Sequence, residues 1–257
     1  MHIMHMLGIV SLVFILALFF MCLFRERLKN PIINPLLVSA CAFFLFCWTY
    51  SMYEHRGGKM NGFMTFDNIS PYISTVIPLT VFMNRRVKDF AYSAIAFLAF
   101  GMFVAMFISP EVEYLSNFHQ DAQFLHVSEA LCHLIMGVYG FYLILADKVT
   151  LTLKSFAKAL AFIYASIGFG IFLNYFFHQS NFGMNMYGDY SIYFMDIFDS
   201  FEATLIAYLV GVLLTLAVGF LIALFVDRIS RTKKHGKGGE EAEKSIATTS
   251  SAEDASK

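Results

Sequence analysis

Seven stretches of the chain stay apolar for long enough to cross a bilayer as helices. A span takes about 20 predominantly apolar residues, and such runs fall at 7–24, 34–53, about 66–83, 90–108, about 128–146, 156–177 and 203–226. The third differs from the rest, because FDNISPYISTVIPLTVFM carries Asp67, Asn68, Ser70, Ser74, Thr75 and Thr80 together with Pro71 and Pro78. A helix that polar has to face protein or a water-filled cavity, since lipid offers its polar groups no partner. The pattern predicts an all-α fold, a polytopic membrane helix bundle of seven transmembrane helices over residues 1–230. Beyond it, residues 231–257 are poor in apolar side chains and rich in Gly, Ser, Lys and Glu, which predicts a disordered tail.

Composition agrees with a bilayer as solvent: 58% of the 257 residues are hydrophobic and only 14% charged, against about one quarter charged in a soluble domain. A net charge of −1 gives no field for nucleic acid, so none is expected as a partner. The distribution of charge carries more than its sum. With the N-terminus outside, 16 of the 18 Lys and Arg fall on the cytosolic side, and only Arg56 and Lys59 lie outside. The C-terminus is then cytosolic, and the first basic residues of the tail meet anionic lipid headgroups. The first apolar run has no positive residue before it and RERLK directly behind it, the reverse of a secretory signal, so it reads as a retained helix. Cys22, Cys41, Cys47 and Cys132 all sit in apolar runs and read as small hydrophobes.

Candidate chemistry gathers on the outer side. Seven of the eight histidines lie there, namely His2, His5, His55, His119, His126, His133 and His178. His119, His126 and His133 recur every seven residues, with Glu129 between the last two. Seven steps of about 100° return to nearly one face, so these side chains form a stripe. His133 stands among apolar neighbours only about 5 Å below the outer boundary at a rise of 1.5 Å per residue, and there it needs a partner. Glu129, four residues earlier, is the natural one, because a carboxylate that fixes one imidazole tautomer makes a general base.

On the third span Asn68 and Ser70 stand at a similar depth, and a hydroxyl beside a histidine is a nucleophile with its base. Ser70 also suits a plainer role, capping its helix ahead of Pro71. On the sixth, Asn174 and Asn181 flank the outer end, where amides donate to an oxyanion or hold a loop.

These features, in order, resemble the bacterial YwaF-like integral membrane proteins over roughly residues 65–225. Asn68–Ile69–Ser70 stands in place of the family's His-Leu-Cys element, Pro78 follows at the matching spacing, and NRRVKD supplies its basic turn. SPEV (Ser109 to Val112) looks like the Thr-Pro-Asp segment, His133 falls on the intramembrane histidine, and NYFFHQSNF looks like the Asn-Tyr plus Ser-Asn-Tyr element, with one residue inserted. An animal relative of that family is an acyltransferase that remodels ether phospholipids with a cysteine nucleophile and a histidine base. The resemblance therefore implies lipid acyl chemistry, with membrane lipids as partners. Here Ser70 replaces the cysteine and Asn68 the first histidine, and a serine depends far more on its base.

The expected machinery is thus Ser70 as nucleophile, His133 as base and Glu129 as its orienter, with Asn68, Asn174 and Asn181 binding substrate and no cofactor. A metal reading takes His126, Glu129 and His133 as ligands for a divalent ion such as zinc, in transport or sensing. A non-catalytic or receptor-like bundle is the third. The expected location is the cell membrane, as a multi-pass protein of a bacterial plasma membrane.

Overall fold

The computed structural model describes residues 3–55, 69–108, 123–177 and 200–254, with side chains omitted at 3–8, 55, 100, 102–108, 123, 126 and 232–254. The described residues form seven α-helices and one short 3-10 turn. They are α1 (Ile3–Leu23), α2 (Ile33–His55), α3 (Ile69–Leu79), α4 (Arg85–Ile108), α5 (Gln123–Leu145), α6 (Leu153–Phe177) and α7 (Phe201–Asp254), with the turn at Arg25–Lys29 after α1. By length and composition four segments suffice to cross a membrane, Ile33–Glu54, Val127–Leu145, Leu153–Phe177 and Phe201–Arg231.

Helix ends are written in the local sequence. The Asn84 side chain accepts from Val87 N at 3.0 Å and caps α4. Thr152 and Ser155 cap α6 reciprocally, each side-chain oxygen accepting from the other's backbone N–H. Ser200 Oγ accepts from Ala203 N at 3.2 Å at the start of α7. At the end of α5, Asp147 turns left-handed with φ 55°. Asp147 N donates to Ile144 O and Lys148 N to Leu143 O, a Schellman closure made without the usual glycine.

Two departures from the predicted spans have local causes. Of the third span, expected over 66–83, residues 66–68 lie outside the described residues, and the described helix Ile69–Leu79 ends four residues before the expected boundary. Pro71 is harmless in the first turn, but Pro78 offers no N–H to the Ser74 carbonyl, and the chain closes into turns at Thr80–Phe82. At the other end of the chain, α7 carries its helix to Asp254, through the segment expected to be a disordered tail. Its run Glu240–Glu241–Ala242–Glu243–Lys244 is made of strong helix formers.

The bundle is organised around α4 and α5. Of the segment Val127–Leu145 in α5, 67% is buried, against 22% for each of the other three candidate spans. Helices α1 and α2 pack on α5, α6 and α7 pack on α4, and α3 packs chiefly on α2 while touching both α4 and α5. The α4 contact is built from small residues: a Cβ on Gly219 would meet the Phe97 carbonyl oxygen at 1.9 Å, and one on Gly101 would meet the Thr215 carbonyl oxygen at 2.9 Å. Gly211, Thr215, Gly219 and Ala223 recur every four residues on α7, the spacing that lets two helix backbones touch.

A charged cluster closes one end of the bundle. Arg25, whose side chain is only 10% exposed, donates to Asp147 and to Asp227 at 2.8 Å each and also bonds Ser230. Lys29 reaches Asp147 at 3.0 Å, and Arg231 pairs with Asp227 at 2.8 Å and Asp147 at 3.1 Å. Desolvation pushes the Asp147 carboxyl up, but the hydrogen bonds and charges of Lys29 and Arg25 outweigh it and hold its pKa below the ordinary value. Lys29 is raised in turn, chiefly by its bond to Asp147. A second ion pair, Lys158 to Asp89, joins the starts of α6 and α4.

Candidate functional site

His133 lies on α5, 5% exposed, where that helix meets α2. Its Nδ1–H donates to the Glu129 backbone carbonyl at 2.9 Å. A carbonyl can only accept, so the bond fixes the Nδ1–H tautomer of the neutral ring and leaves the lone pair on Nε2. This bond uses the backbone carbonyl, which any residue at position 129 would offer, and not the Glu129 carboxylate expected to orient the ring. Glu129 itself is half-buried. The indole of Trp48, from α2, packs against the imidazole with ring centroids 5.4 Å apart.

Around this pair runs a polar seam between α2, α3 and α5. At the end nearest the start of α5, Ser51 Oγ and Ser128 Oγ meet at 2.7 Å, and each is also within reach of a carbonyl of its own helix, Trp48 O and Leu125 O, at 2.8 Å. Each hydroxyl has one proton, so one serine donates across the seam while the other donates to its carbonyl. Deeper in, the Cys132 thiol donates to Ser74 Oγ at 3.5 Å, and Ser74 Oγ donates to the Met136 sulfur at 3.5 Å. Tyr139 Oη then donates to Asn34 Oδ1 at 3.1 Å near the start of α2.

These contacts set the register of α3 on α5. Ser74 is level with Cys132 and Met136, so Ser70, four residues earlier, stands one turn, about 6 Å, nearer the start of α3. The His133 ring also leans by one turn toward the start of α5, back toward Glu129, as helical side chains do. The buried Ser70 hydroxyl and the imidazole therefore share a depth, on adjoining helices, although no hydrogen bond joins them among the described residues. Asn174 is fully buried in α6, and its neighbour helices are α4 and α7. Asn68 and Asn181 lie outside the described residues, as do His2, His119 and His178; His5, His55 and His126 have described backbone only. The histidine stripe is thus described at His133 alone. No three His, Cys, Asp or Glu gather as metal ligands among the described residues.

The seam also contains groups that the sequence does not single out. Ser51 of α2, Ser74 of α3 and Ser128 and Cys132 of α5 are buried and hydrogen-bonded across the seam, roles that no motif in the chain signals. Trp48 is 6% exposed, and its indole Nε1–H is buried with no acceptor among the described residues. An N–H left so costs about 1–3 kcal/mol. A search for known proteins adds nothing to this geometry: no family model, no curated protein and no solved structure matches the chain significantly.

Proposed function

We propose that the chain is a seven-span integral membrane protein, N-terminus outside, whose α2–α3–α5 seam works on acyl esters of membrane lipids from the outer leaflet. The apolar helices and the basic end bearing Arg25, Lys29 and Arg231 support the membrane reading and its orientation. The observation that carries the chemistry is the buried, tautomer-fixed His133, with Nε2 as its basic nitrogen. In this reading Nε2 takes the proton of Ser70, which shares its depth, and Ser70 attacks the ester carbonyl. Glu129 fixes the ring through its carbonyl. The order of motifs resembling the YwaF-like proteins supports the same substrate class.

The test uses the purified full-length protein and a short-chain phosphatidylcholine, with released fatty acid measured. Ser70→Ala and His133→Ala are each expected to lower turnover by at least about 100-fold, the scale on which general-base and nucleophile losses fall. Undiminished turnover in either variant overturns the assignment.

A further inference from the structure

Trp48 is the single tryptophan of the chain, and its indole N–H is a buried donor that no acceptor of the described residues meets. Buried donors are almost always paired, so each exception calls for an explanation; of the three such groups among the described residues, Trp48 Nε1, Tyr142 Oη and Tyr208 Oη, only the indole packs against a histidine ring in a described contact. We propose that Trp48 Nε1–H receives the carbonyl oxygen of the lipid acyl ester beside His133, and so supplies the oxyanion donor of the site. The assignment rests on the acyl-ester reading of the seam. Indole donates and never accepts, which selects an oxygen acceptor over a donor such as an amine.

Geometry supports the pairing of roles. With the two ring centroids 5.4 Å apart, a group bonded to the indole lies within reach of the imidazole. Donor and base then flank one carbonyl, the arrangement acyl transfer needs. Ser70 Oγ bonds to the carbonyl carbon while its proton passes to His133 Nε2, and the negative charge that develops on the carbonyl oxygen rests on the Trp48 N–H. Collapse breaks the ester C–O bond, and the imidazolium returns the proton to the departing lipid alcohol. Water or a second lipid hydroxyl then takes the acyl group from Ser70. Helix α2 packs chiefly on α3 and α5, and its remaining surface exposes Phe43, Phe46 and Tyr50, so the buried indole is reached by a lipid only when α2 parts from the seam.

Because Trp48 stands alone, intrinsic fluorescence reads this position without a label. The full-length protein in dodecyl maltoside micelles is titrated with diheptanoyl phosphatidylcholine and, separately, with the diheptyl ether analogue, which has no carbonyl. A saturable red shift with the ester lipid and none with the ether is expected, and His133→Ala keeps that shift. Trp48→Phe is expected to lower kcat by about 100-fold, the usual loss for one oxyanion donor, with KM little changed. No shift, an equal shift with the ether, or an unchanged kcat in Trp48→Phe overturns the proposal. A carbonyl-dependent shift in a protein that turns over no ester sinks the acyl chemistry but keeps Trp48 as the lipid carbonyl's donor.

Discussion

The two sides of the central α4–α5 pair are joined by different physics. On the α4 side, α7 approaches until Gly219 lies against the Phe97 carbonyl, and what holds the helices is close backbone packing with no room for a side chain. On the α5 side, α2 and α3 are held through side-chain oxygen and sulfur, in Ser51 with Ser128 and Cys132 with Ser74. The difference teaches where change is tolerated. On that side the backbone approach is reinforced by the Phe97 and Phe220 rings, 5.2 Å apart, and the buried Tyr208 hydroxyl of α7 has no partner among the described residues. The polar seam has an indole N–H with no acceptor among the described residues, beside a histidine, and a buried group of that kind calls for its own explanation.

The largest expected effect falls on the α4 side. Gly219→Ala puts a methyl 1.9 Å from a backbone oxygen that cannot swing away, and is expected to destabilise by about 3 kcal/mol as the helices are forced apart. Gly211→Ala, on the same helix with nothing within 4 Å of the new Cβ, is expected to be neutral or to gain up to about 1 kcal/mol from helix propensity. Unfolding midpoints of the two variants in detergent, followed by Trp48 emission, compare them directly. Equal effects would mean that the close backbone approach is not what joins the two helices.

A smaller effect is expected across the polar seam. Ser51→Ala and Ser128→Ala should each cost about 1 kcal/mol, with the double variant less damaging than their sum, because it leaves neither hydroxyl orphaned. A double-mutant cycle is expected to give a coupling of about 0.6–1.7 kcal/mol, the range for hydrogen bonds between membrane helices. A coupling of zero would show that the 2.7 Å contact is incidental.

The smallest effect belongs to the charged end, which ties α1 and α7 to α5. The Asp147 carboxyl has its pKa held below the ordinary 3.8, so its contribution is full above that value and is lost as the pH falls through the lower, folded-state value. With the Asp147 side chain 40% exposed, the contribution is on the order of 1 kcal/mol or less. Asp147→Asn, which tolerates the left-handed backbone, should remove that acid dependence while leaving the fold intact. Melting curves between pH 3 and 7 that shift equally in both proteins would exclude the pair as their source.

How much of this was legible in the chain depends on the range of the physics involved. Apolar runs at 34–53, 128–146 and 156–177 matched α2, α5 and α6 closely, because hydropathy over a span is a local property. The shortening of the third helix followed from Pro78, also local, but the pattern of apolar residues concealed it. His133 and Glu129 were readable as a pair since four residues make one turn, although whether a carboxylate or a carbonyl holds the ring depends on rotamer. Trp48 and Ser51 were not readable as members of the site. Their partners stand 85 and 77 residues further along the chain, and a lone Trp or Ser near the end of an apolar run looks like an interfacial anchor. The repeat of Gly211, Thr215, Gly219 and Ala223 was a signal present in the sequence but masked by the apolar residues between them.

The contact of Gly219 with Phe97 also sets what can move. Sliding α7 along α4 by one residue would bring Val218 or Phe220 onto the Phe97 carbonyl, where even a methyl does not fit. The two helices therefore act as a single strut with one register, neither rotating nor shearing past each other. Any breathing of the bundle has to come from the opposite flank, where α2 leans on hydroxyls and an indole that can be parted and remade.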